Sequence, residues 1–109
     1  MIEFTASGSP RAVSRAIEAY ASGQGGVTAI IVPWESHGGT WSMAVTSVKS
    51  DGWAIEHTNL GTITLTDLGG DRTRVAVVPQ DPDHLEQEKL AALFDRFARQ
   101  VQRQFEVQP

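Results

Sequence analysis

The sequence predicts an α+β domain: an antiparallel sheet of about six strands, with a short N-terminal helix and a long C-terminal helix packed across it. Three observations carry this expectation. From residue 27 to 79 apolar and polar residues alternate in short runs joined by turn signals, with no helical period between them. Residues 90–105 carry an apolar stripe at helical spacing. Ser9-Pro10 opens a second, shorter helix, because serine caps free N–H groups and proline suits the first helical position. A chain of 109 residues supports one core, so residues 1–109 read as one domain.

In order along the chain, Ile2-Glu3-Phe4-Thr5-Ala6 alternates as a strand with one buried face. The helix after Ser9 presents Val13, Ala16, Ile17 and Tyr20 on one side and Arg11, Arg15 and Glu18 on the other; Gly23 to Gly26 end it. "VTAIIVPW" is nearly continuously apolar and reads as a strand covered on part of both faces, with Pro33 marking an end, a bulge or a sheet edge. "TWSMAVTSV" sets Trp41, Met43 and Val45 against Ser42, Ala44 and Thr46. Asp51-Gly52 is a hairpin signal. "WAIEHT" then places Trp53, Ile55 and His57 together, and a break at Asn59 to Gly61 separates it from "TITLTD". Leu68 to Asp71 turn the chain into "TRVAVV", whose Val75 and Val77 face the core. Short turns with no helix between them make this an antiparallel meander.

The last helix is expected to open at Asp81-Pro82 and run to about residue 106. Leu90, Leu93, Phe94, Phe97, Val101 and Phe105 form its apolar stripe. Glu86 and Glu88 near its start, and Arg96, Arg99 and Arg103 toward its end, suit the helix dipole. About twenty-two residues of helix reach about 33 Å, the length of a ten-residue strand, so the helix can lie along a curved sheet.

Composition excludes several functions. The chain has no cysteine, which removes disulfides, thiolate metal sites and cysteine nucleophiles. A net charge of −4 disfavours nucleic acid and anionic membranes as partners, and the arginines of the last helix are interrupted by acidic residues. No apolar run is long enough to span a bilayer and the N-terminus lacks a signal-peptide pattern, so a cytoplasmic protein is expected. No Gly-x-Ser-x-Gly elbow or phosphate-binding loop occurs. Glu35, His37 and His57 do not have the spacing of a metal site, and no cofactor is expected.

The element order resembles the helix-grip fold of the START/Bet v 1-like superfamily, which includes polyketide cyclase/dehydrase-type and Aha1-type domains. "IEFTASGSPRAVSRAIEAY" is similar to its first strand and Pro-started helix, "GTITLTDLGGDRTRVAVVP" to its paired late strands, and "LAALFDRFARQVQRQF" to its gripping helix. "ASGQGGV" leaves no room for the superfamily's second short helix, which makes this chain a shortened member. The resemblance implies binding of a hydrophobic or aromatic small molecule between sheet and helix, with no defined reaction.

The residues offer a matching pocket. Trp41, Met43, Trp53, Ile55 and His57 on adjacent strands, opposite Phe94, Phe97 and Val101 on the helix, either line a cavity for a flat apolar ligand or fill the core. His57 serves as the polar handle or is simply hydrogen-bonded in place. Two other readings stand beside this one. The first is a self-associating module, a homodimer without a ligand, joined at the edge near Pro33-Trp34. The second is a small cyclase- or hydrolase-like enzyme using His57 with Glu35 or Glu56, although Glu56 alternates away from His57.

Overall fold

The computed structural model describes residues 2–23, 27–32, 39–51, 54–79 and 88–107, and the side chains of 49–51, 54–57 and 88–91 lie outside that description. The described elements form an α+β fold: β1 (Ile2–Ser7), α1 (Pro10–Ser22), β2 (Val27–Ile31), β3 (Thr40–Asp51), β4 (Ala54–Gly69), β5 (Arg72–Pro79) and α2 (Glu88–Phe105). The five strands make one antiparallel sheet in the order β1-β5-β4-β3-β2.

Five strands form where about six were expected, and the reason is local. Asn59 to Gly61 do not break the chain into two strands. They form a β-bulge inside the single sixteen-residue β4, where Val45 pairs with Gly61, Thr46 pairs with Asn59 and Leu60 is left as the extra residue. The Asn59 side-chain oxygen accepts from the Gly61 N–H at 3.2 Å, so a turn-forming residue here stabilises a kink.

Two other local signals act as expected. The β4–β5 hairpin closes through Gly70 and Asp71, both with positive φ (60° and 62°), between the paired residues Gly69 and Arg72. That is the twist a two-residue hairpin loop needs. Ser9 caps α1, its hydroxyl accepting from the Ala12 N–H at 3.2 Å, and Pro10 follows in the first turn. Ala16, expected on the buried side of α1, is exposed, and Tyr20 is only half-buried; Ser14 and Ala21 are buried beside Val13 and Ile17. Ser14 is tolerated because its hydroxyl donates to the Arg11 carbonyl at 2.7 Å.

β2 is an edge strand covered on one face only. Val27 and Ala29 are buried, while Ile30 is 56% exposed, so its continuous apolar character does not signal cover on both faces. Helix α2 spans eighteen residues, about 27 Å, against the longer span expected from Asp81-Pro82; residues 80–87 lie outside the description. Phe94, Phe97, Ala98 and Val101 of α2 join Val13, Ile17 and Ala21 of α1 and the inward residues of all five strands in one hydrophobic cluster. Both helices therefore cover the same face of the sheet. Tyr20 and Phe105 tie them together, ring edge to ring face, with centroids 5.8 Å apart. Beyond α2 the chain returns to the sheet: Val107 N–H donates to the Thr5 carbonyl at 2.8 Å, and Glu106 bridges Ala6 at the outer edge of β1.

Candidate functional site

The inner face of the sheet is where the candidate residues meet α2. Trp41 pairs across strands with Leu65, and Met43 with Ile63. Met43, Ile63 and Leu65 have no exposed surface, whereas Trp41 packs against the cluster and stays half-buried. From the helix side Phe94, Phe97 and Val101 are all buried in the same cluster. The structure thus brings five of the eight candidate residues into one apolar interior.

Trp53 lies outside the described residues. Ile55 and His57 are described in backbone only, where register pairs them with Ser50 and Val48. Their expected place beside Met43 counts across the Asp51-Gly52 turn, and their side chains lie outside the description. Above the bulge, Gly61, Ile63 and Leu65 point inward; below it, Thr58 pairs with the buried Ser47 and exposed Asn59 pairs with Thr46. Glu35, His37, Pro33 and Trp34 also lie outside the described residues.

One packing contact was missed by sequence reading. Gly61 gives α2 its seat: a methyl group there would stand 2.5 and 2.7 Å from Cζ and Cε1 of Phe94 and would also strike the Val78 carbonyl. The Phe94 ring lies directly on the β4 backbone. The signal was present, since an isolated glycine within a strand pattern marks a bulge or a close approach, and here it marks both.

The interior has little polarity. Among the described residues its buried polar side chains are Ser14, Ser47 and Thr73, and Thr73 donates its hydroxyl to the Gly8 carbonyl at 2.8 Å. Among the described residues no buried side-chain nitrogen or oxygen lacks a partner, and no group of three histidine, aspartate or glutamate residues gathers to hold a metal. Their one ion pair, Arg99 to Asp95 at 2.9 Å, is exposed on the outer face of α2.

No family model, curated protein or solved structure matches this chain. No helix among the described residues is long and apolar enough to cross a membrane. Two shallow surface grooves lie on the outer sides of the helices, one at Arg99, Gln102, Arg103 and Glu106 and one at Arg15, Glu18, Ala19 and Ser22. Neither reaches the apolar interior.

Proposed function

We propose that the chain binds a hydrophobic or aromatic small molecule between the inner face of the sheet and α2, as a shortened relative of the helix-grip superfamily. Trp41 carries this reading. Its indole packs on the buried cluster beside Leu65 yet keeps part of its surface open, an aromatic platform at the margin of a mostly apolar interior. Met43, Phe97 and Val101 fill the interior beyond it, so a ligand enters by displacing side chains and moving α2 on its Gly61 seat. Binding of this kind is slow and raises thermal stability.

The test uses an anilinonaphthalene sulfonate dye and a long-chain fatty acid as probes, with tryptophan fluorescence and melting temperature as readouts. Saturable binding and a rise of a few degrees in Tm are expected, at about 100 Kd of probe. Trp41→Leu is expected to weaken binding by about tenfold, the loss of one aromatic contact. A folded chain that binds neither probe and shows no shift in Tm removes the reading.

A further inference from the structure

The sheet has two edges, and they are treated differently. Beyond β1, Glu106 and Val107 occupy the outer side of the strand. Beyond β2, no described residue pairs with the outer side of Val27–Ile31. Every edge strand presents alternate N–H and C=O groups outward, and natural proteins blunt such edges with charge, proline or a bulge. Val27–Ile31 carries none of these devices and exposes Ile30.

The helix above this edge carries a matching pattern. Tyr20 touches α2, so the opposite flank of α1, bearing Arg11, Arg15, Glu18 and Ser22, faces away from α2 on the β2 side. All four residues are exposed, and Arg11, Arg15 and Glu18 form no ion pair within the described residues. When two such helices lie antiparallel about a point between Ala16 and Ile17, Arg15 faces the partner's Glu18, Glu18 faces the partner's Arg15, and Arg11 faces the partner's Ser22. The flank is its own electrostatic complement.

The strand has a twofold centre of its own. Antiparallel pairing of β2 with a second β2 about Ala29 sets Val27 against the partner's Ile31, which keeps apolar inner faces together, and sets Ile30 against the partner's Thr28. The helix midpoint lies about 8 Å before Ser22, and Ala29 lies about 7 Å beyond Val27. A dimer that uses both surfaces requires one axis through the two centres.

We propose that the chain forms a twofold homodimer through the open edge of β2 and the outer flank of α1, which joins two sheets into one continuous sheet. An unrelated extended peptide would satisfy the strand edge alone; the self-complementary charges on α1 select a second copy. This proposal is independent of the ligand reading, since neither β2's outer edge nor the α1 flank borders Trp41 or α2's buried face.

Sedimentation equilibrium of the full chain across micromolar concentrations tests it, with thermal unfolding as the check on folding. The wild-type chain is expected to dimerise reversibly. Ile30→Lys puts a charge at an exposed edge position and is expected to give a folded monomer. Glu18→Arg sets arginine against arginine twice across the axis and is expected to weaken the dimer by about tenfold. Adding Arg15→Glu to Glu18→Arg is expected to restore it. A wild-type monomer throughout the range, a dimer indifferent to Ile30→Lys and Glu18→Arg, or a double variant no tighter than Glu18→Arg would each overturn the proposal.

Discussion

Gly61 shows how a single side chain, by its absence, sets the distance between α2 and the sheet. Glycine in a strand interior forfeits backbone entropy and side-chain packing, so its presence here needs a compensating gain. The gain is the close approach of the Phe94 ring to β4, a large apolar side chain buried where a methyl group would hold it off. Gly61→Ala is therefore expected to destabilise the fold by about 1–3 kcal/mol, the usual cost of overpacking a filled interior. Phe94→Leu introduced together with Gly61→Ala should recover part of that loss, because the ring is one of the two groups the methyl meets. Recovery stays partial because the Val78 carbonyl is backbone. Urea titration of the four chains as a double-mutant cycle measures this; strict additivity would show that the ring and the glycine do not interact. Core membership of Val75, Val77, Phe94, Phe97 and Val101 was legible in the sequence because each sits on a regular period. Gly61 carried a signal for a bulge or a close approach, but not for its partner, since that depends on what α2 brings to it.

At the scale of elements, local chemistry was legible wherever it acts through neighbouring residues. Ser9-Pro10 starts α1, and Gly70-Asp71 closes the β4–β5 hairpin, each by an interaction within a few residues. Ser9→Ala removes the hydroxyl that accepts the Ala12 N–H and is expected to cost about 1 kcal/mol. Asp71 holds φ at 62°, a region that aspartate tolerates and β-branched residues do not. Asp71→Gly should therefore be neutral or slightly stabilising, and Asp71→Val should lower stability by about 1–2 kcal/mol. Chemical denaturation separates these outcomes, and an unchanged midpoint for Asp71→Val would mean that the turn does not require positive φ. The strand count was not legible. Asn, Leu and Gly in succession are consistent with a turn or with a bulge, and the choice falls to pairing partners far away in sequence. The same three residues decide the lower half of β4, since an extra residue inverts which positions face inward. That is why the Trp41 and Met43 half of the candidate site was readable from alternation, and why alternation alone could not carry the reading through to Ile55 and His57.

For the whole molecule, the sheet's connectivity puts its first and last elements side by side and leaves β2 at the far edge. The chain's ends thus protect one margin: α2 crosses to β1, and Val107 N–H donates to Thr5. Nothing comparable is described at the other margin, where α1 descends into β2 with its charged flank outward. The two margins should therefore differ in hydrogen exchange. Amides at the centre of β4 and β5, flanked by strands on both sides, are expected to exchange only through global unfolding. Outward-facing β2 amides of Val27–Ile31 should exchange fast in dilute solution and slow as concentration rises, because the open edge then pairs with a second copy. Ile30→Lys should abolish that concentration dependence and leave the β4 and β5 rates unchanged. Slow exchange of every β2 amide at the lowest concentration would mean that the edge is already covered within one chain, and the asymmetry between the margins would then have no part in assembly.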